Sequence, residues 1–258
     1  MDSLLFIATL PVVLIGYYIY AKDRNKEPKS LLFKLLLGGI GSVFLVFILN
    51  DIIGLFIPNF DKMLESKDTL TLFIASIFGV GLVEEISKWI FAYKISYNNK
   101  EFDELYDMII YCVFVALGFA LFENLMYVLV GGLSVGITRA FLAVPGHACD
   151  GVFMGYFLGL AKYYDLNKNP SMRNKNIALS IIVPTLMHGV YDFLLLTENL
   201  MFILIFFVLV ILMYIFTVKK VNAVAAIDHN FYRKKRYCTN CGHEVSDNFC
   251  GNCGQKVI

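Results

Sequence analysis

The sequence predicts an all-α polytopic membrane protein: about seven transmembrane helices, then a small C-terminal module built on four cysteines. Composition is the first reason. Of 258 residues, 58% are hydrophobic and only 17% charged, with mean hydropathy +0.67, a balance outside the soluble globular range. The second reason is a set of seven apolar windows, at about residues 3–20, 31–57, 70–95, 108–130, 139–161, 177–197 and 200–217. Each meets or approaches the roughly 20 residues that a helix needs to cross a hydrocarbon core. The third is a pair of Cys-x-x-Cys motifs beyond the last window. A formal net charge of +1 gives no global support to nucleic-acid binding, and no nucleic-acid partner is expected.

The first window reads as a retained span rather than a cleaved signal peptide. Asp2 precedes it where a signal would be basic, and Lys22, Arg24, Lys26 and Lys29 follow it. Basic residues then recur in every second connection: Lys94 and Lys100 after span three, and Lys162, Lys168, Arg173 and Lys175 after span five. The tail adds Lys219, Lys220, Arg233, Lys234, Lys235, Arg236 and Lys256. The alternate connections offer only Lys62 and Lys67, with Arg139 at a span boundary. The positive-inside rule therefore predicts a cell-membrane protein with its amino terminus outside and its carboxyl terminus in the cytoplasm.

Charge inside the spans is disfavoured by several kcal/mol, about 2.5–3.5 on insertion scales, so the buried polar residues carry the functional reading. Span three holds Glu84, Glu85 and Lys88. Glu84 and Lys88 are four apart on one helical face, which alone reads as a buried ion pair. Glu85, about 100° round the helix, then has no partner in its own span. Span four holds Glu123 and Tyr127, spaced so that the phenol can reach the carboxyl. Span five holds Pro145 beside His147, predicting a kink there; His147, Gly151, Gly155 and Gly159 follow at steps of four, a small-residue ridge for close helix packing. Span six holds His188 and Asp192, four apart, so that a carboxylate orients an imidazole. Counting about 1.5 Å per residue from the outer span ends, Glu123, His147 and His188 fall about 10–14 Å deep and the Glu84–Glu85 pair about 21–22 Å deep. Four helices thus bring three Glu and two His toward the outer half of the bilayer, where a polar cavity must solvate them.

In order along the chain these motifs are Glu84-Glu85-Ile-Ser-Lys88, Phe122-Glu123-Asn-Leu-Met-Tyr127, His147-Ala-Cys-Asp-Gly151 and His188-Gly-Val-Tyr-Asp192. They resemble the PrsW family of intramembrane proteases, relatives of the type II CAAX prenyl endopeptidases, over about residues 70–195. The resemblance implies hydrolysis of a peptide bond of a membrane-anchored protein, an anti-sigma factor cut from outside being the bacterial case. It also implies catalytic roles for Glu84, Glu85, Glu123, His147 and His188, with Lys88, Tyr127 and Asp192 in support. One of the paired Glu would be the general base, and Glu85, lacking a partner in its span, is the better candidate. The His would stabilise the oxyanion or bind a divalent metal. Direct activation by glutamate and a metal at the membrane site both remain open, since two His and a Glu suit zinc but no His-Glu-x-x-His motif is present.

Beyond span seven, Cys238-Thr-Asn-Cys241 and Cys250-Gly-Asn-Cys253, each followed by Gly, form the knuckle pair of a zinc ribbon. So short a module needs its structural Zn2+ to fold. Disulfides are disfavoured because the tail is predicted to face the reducing cytoplasm. Its sequence names no role; docking of a cytoplasmic protein is one use, and the run Arg233-Lys-Lys-Arg236 suits anionic lipid. Cys112 and Cys149 lie within spans as packing residues. The domain plan is therefore 1–217 as the membrane protease domain, 218–237 as a basic linker and 238–258 as the zinc ribbon. Two other classes use similar residues. A proton-coupled carrier also places Glu and His in the membrane, but many carriers show inverted repeats and this chain has no matching half. A catalytically silent scaffold presenting the ribbon is the other.

Overall fold

The computed structural model describes residues 2–57, 59–226, 236–245 and 249–256. Helices α1 (Asp2–Lys22) and α2 (Lys29–Phe56) form the first two passes. After a single turn, α3 (Phe60–Met63), the third pass begins at α4 (Thr69–Ile74), runs through a π-helical turn (Ala75–Gly81) and continues as α5 (Leu82–Ser96). Helices α6 (Leu105–Phe141), α7 (Ala143–Leu166), α8 (Pro170–Leu196) and α9 (Leu200–Ala225) follow, then the short strands β1 (Arg236–Tyr237) and β2 (Glu244–Val245). Side-chain caps start three of these helices: Asp68 accepts from the Thr71 N–H, Asn169 from Met172 and Asn199 from Met201.

Among the described residues, six stretches are long and apolar enough to cross a membrane. One of them, Leu105–Leu166, is 62 residues long, about three times the roughly 20 residues that a single crossing needs. It reverses within α6 at Gly132, whose φ of 71° and ψ of −160° belong to backbone that only glycine adopts freely. The returning arm packs on the outgoing one, leaving so little room that a Cβ on Gly136 would lie 3.2 Å from Val128. That stretch therefore supplies two of the seven predicted passes. The chain breaks again at Leu142 (φ −115°, ψ −64°) before α7 begins. Pro145 falls in the first turn of α7, where its missing N–H has no partner to lose. The predicted kink is thus real and lies just before Pro145.

The outgoing arm of α6 is the core. Met108, Ile109, Ile110, Tyr111 and Val113 are all fully buried, the mark of a helix enclosed on every side. Helices α1, α2 and α7 pack around it, and α8 joins through α7 and α5. The predicted ridge on α7 makes one of these contacts: Gly151 would place a Cβ 2.9 Å from the Val113 Cα, and Gly155 would drive one into the Met108 carbonyl. A second close crossing sets the site. Gly81 lies against the Thr185 carbonyl and Gly189 against Ile77, so α5 and α8 run antiparallel with their backbones in contact just where the acidic pair begins. Outward faces are apolar, with Leu204, Phe207, Val208 and Ile211 of α9 exposed as a lipid-facing helix requires.

The basic connections gather at one end of the bundle. Lys22 reaches Asn222, Asn25 reaches Glu104, and Lys162 reaches the Tyr97 carbonyl. Helix α9 runs on to Ala225, so the first part of the basic linker is helical, and Lys220 lies 3.9 Å over the Tyr156 ring. Arg233, Lys234 and Lys235 lie outside the described residues.

Helix contact at Gly155 leaves no space for a side chain. Gly155→Leu is expected to destabilise the protein in detergent by at least about 2 kcal/mol, the scale of core overpacking. Gly54→Ala, where a Cβ meets nothing within 4 Å, should unfold at the wild-type temperature.

Candidate active site

Antiparallel packing explains how residues predicted at different depths meet. The contacts of Gly81 with Thr185 and of Ile77 with Gly189 put Phe78, not Glu85, level with His188. Helical side chains lean toward their own N-terminus. In an antiparallel pair the two leans are opposed, so Glu85 and His188 close a gap of about seven residues, or about 10 Å. Oε1 of Glu85 lies 2.8 Å from Nδ1 of His188.

Lys88 organises what surrounds this pair. Its ammonium is buried, donating to Oε1 of Glu85 at 2.7 Å and to Oε2 of Glu84 at 3.3 Å. The sequence reading paired Lys88 with Glu84 and left Glu85 alone in its span; the closer partner is Glu85. An ammonium reaches i−3 as readily as i−4, and tertiary contact with His188 draws Glu85 inward. Lys88 also lies 3.1 Å from Nδ1 of His147 and 4.0 Å over the Phe119 ring. An ammonium can only donate, so Nδ1 of His147 accepts and its Nε2–H donates to Oε2 of Glu123 at 2.9 Å. Both His147 nitrogens are thereby satisfied.

Glu123 is held from the other side by Arg139, at 2.7 Å. Arg139 sits on the returning arm after Gly132, donates also to Asn124, and lies 4.2 Å over the Tyr127 ring. The expected Tyr127–Glu123 hydrogen bond is not formed, because the guanidinium takes the Glu123 oxygen and covers the phenol. Sequence reasoning used Arg139 only as a loop charge; its signal was a cation one short hairpin from Glu123. Asp192 stands 3.4 Å from Nε2 of His188, as its spacing implied, with Glu84 at 3.7 Å from the same nitrogen. Asp150 completes the cluster 3.9 Å from Nδ1 of His188. It lay within the quoted His147 motif, three residues on, but received no role.

A cavity of about 410 Å³ reaches these groups. Leu64, Thr138, Leu195 and Leu196 line it, so it faces the end of the bundle opposite the basic connections. Glu84, His188, Asp192, Asp150 and Arg139 also line it, whereas Glu85 and Lys88 lie behind the wall. The two adjacent glutamates therefore differ: Glu84 faces the cavity, and Glu85 is sealed between Lys88 and His188.

The donor set also fits a divalent metal. Glu85, His147, Asp150 and His188 each offer a ligand atom, all within 4.8 Å of one another. Oε2 of Glu85 and Oδ1 of Asp150 are buried without a hydrogen-bond partner, which leaves coordination capacity unused. Lys88 holds two of the four side chains, so its ammonium and a metal compete for the same lone pairs.

At the tail, Cys238, Cys241, Cys250 and Cys253 come together with sulfurs within 4.8 Å, compatible with a zinc site. The glycine after each motif turns the knuckle, Gly242 at φ 70° and Gly254 at φ 71°. Their N–H groups bond back to the Cys238 and Cys250 carbonyls. Cys112 and Cys149 are buried in the bundle, as predicted.

Comparison with known proteins bears on this geometry. The family model described as PrsW family intramembrane metalloprotease matches residues 26–218, ending before the cysteine module. The chain is 34% identical to Protease PrsW of Oceanobacillus iheyensis over 196 residues, 76% of this chain and 84% of that one. It is 33% identical to Protease PrsW of Clostridioides difficile over 217 residues, covering 82% and 87%. For Protease PrsW of Bacillus subtilis the figures are 33% over 187 residues, 72% and 79%. No solved structure matches.

Removing Lys88 strands a buried carboxylate. Lys88→Met is expected to cost about 3–5 kcal/mol in unfolding in detergent, and adding Glu85→Gln should recover a substantial part of that loss. Additive losses would show that the two do not interact.

Proposed function

From the premise that the chain belongs to the PrsW family of intramembrane metalloproteases, we propose that it hydrolyses a peptide bond of a membrane-anchored protein in the cavity at Glu84 and His188. The observation that carries this reading is the split between the two glutamates. Only Glu84 stands on the cavity wall, 3.7 Å from Nε2 of His188, so one water can touch both groups. Glu84 takes a proton from that water as its oxygen attacks the scissile carbonyl. His188, carrying a proton on each ring nitrogen, gives its Nδ1–H to Glu85 and its Nε2–H to the oxyanion, and Glu84 returns the proton to the leaving amine as the C–N bond breaks. Glu85 orients His188. Lys88, His147 and Glu123 are positioning residues, because their hydrogen-bonding atoms are turned to one another.

The two orphaned carboxylate oxygens favour a second reading of the same site. Glu85, His147, Asp150 and His188 would hold a divalent metal, which when bound polarises the scissile carbonyl as a Lewis acid. In that reading Lys88 withdraws from Glu85 and His147 and remains paired with Glu84.

The cavity faces away from the basic end. With the basic end in the cytoplasm, the substrate enters from outside the cell membrane, in keeping with a membrane-anchored anti-sigma factor as substrate class. The cysteine module would hold a structural Zn2+ on the cytoplasmic face. It lies beyond the family match, so we assign it to docking a cytoplasmic partner rather than to hydrolysis.

The test is cleavage of a single-pass substrate by the full chain in liposomes. Glu84→Gln is expected to reduce turnover at least about 100-fold, the low end of general-base effects; turnover at the wild-type rate would remove Glu84 from the mechanism. Metal analysis separates the two readings. With water activated by glutamate alone, the purified chain carries one zinc, and Cys238→Ser/Cys241→Ser removes it without loss of cleavage. A metal retained in that variant and lost with His147→Ala would establish the second reading.

A further inference from the structure

At the basic end, remote from the cavity, four acidic side chains are buried together. Asp23 and Glu27 come from the α1–α2 connection, and Glu104 and Asp107 from the start of α6. Among the described residues, no lysine or arginine nitrogen lies within ion-pair distance of Asp23, Glu27 or Asp107. The nearest lysine, Lys26, is committed to the Tyr20, Ala21 and Asp23 carbonyls.

Part of the cluster is accounted for by local bonding. Asp23 accepts the Asn25 and Glu27 N–H groups, Oδ2 of Asp107 accepts those of Asp103 and Glu104, and Tyr111 donates to Glu27 at 2.7 Å. Those bonds aim the side chains without using all of their acceptors. Oδ1 of Asp107, on a fully buried residue beside Glu27, receives no hydrogen bond among the described residues, and a buried polar atom without a donor is unfavourable. Ligand atoms of Asp23, Glu104 and Asp107 lie within 4.8 Å of one another. That is about the span of a coordination sphere with metal–oxygen bonds of roughly 2.4 Å. An all-oxygen set selects a hard cation rather than zinc or copper.

We propose that Asp23, Glu104 and Asp107 bind one hard divalent cation, Ca2+ or Mg2+, which ties the α1–α2 connection to the start of α6. The site is separate from the catalytic cavity and from the cysteine module. Its consequence is mechanical: α6 carries Glu123 on the same helix, and the ion anchors the buried end of that helix.

The full chain, purified in detergent and stripped with EDTA, is titrated with Ca2+ or Mg2+ while thermal unfolding and bound ion are followed. A single saturable equivalent is expected, with a rise in melting temperature. Asp107→Asn should weaken binding at least tenfold, and Asp23→Asn provides the same test should the loss of an α6 cap impair folding. His147→Ala and Cys241→Ser should bind as the wild type does. Absence of saturable binding to the wild type would overturn the proposal. So would binding that survives both Asp variants but is lost in His147→Ala, which would place the ion in the cavity. A stripped Asp107→Asn protein more stable than the stripped wild type, in a chain whose wild type ignores both ions, would mean that the acids share protons instead.

Discussion

One buried ammonium holds the site together. Lys88 lies behind the cavity wall, bonded to Glu85, Glu84 and Nδ1 of His147. Each contact limits the next group: Glu85 is turned to His188, His147 must present its Nε2–H to Glu123, and Glu123 meets Arg139. Desolvating so many charges is tolerable only because signs alternate along this chain of contacts and the distances are short. A site in which four helices share one cation cannot lose a helix without losing its charge balance.

Close backbone contact makes that geometry reproducible. Glycines at the α5–α8 and α6–α7 crossings bring main chains together, and close-packed backbones have few alternative registers. The π-helical turn ends at Gly81, immediately before the acidic pair. Extra-residue turns of this kind change the facing of all that follows, and here they precede the segment where two adjacent glutamates must face different environments.

Much of this was legible in the sequence. Among the described residues the seven apolar windows fall on six membrane-capable stretches, one of them folded back at Gly132 to carry two windows, and the Glu, Phe-Glu and His motifs converge as their spacing and order implied. Asp192 stands by His188, and the glycines after the cysteine motifs take the conformation their knuckles need. What stayed hidden depends on tertiary direction. Depth counted along straight helices separates Glu85 from His188, whereas opposed side-chain leans join them. Arg139 reaches Glu123 only because Gly132 folds α6 back on itself. Lys88 at i+3 or i+4 fits either glutamate by sequence, and only the contact with His188 decides that Glu85 is the sealed one. In the mechanism we propose, that choice moves the water-activating role from Glu85, favoured by sequence, to Glu84.

The state of His147 reports on this arrangement most directly. In the full chain labelled with 15N-histidine and reconstituted in lipid, the account requires an unprotonated Nδ1 and a protonated Nε2 at His147 at neutral pH, since Lys88 can only donate. Lys88→Met should abolish that preference. A wild-type spectrum with the proton on Nδ1, or one that Lys88→Met leaves unchanged, would contradict the central place given to the ammonium.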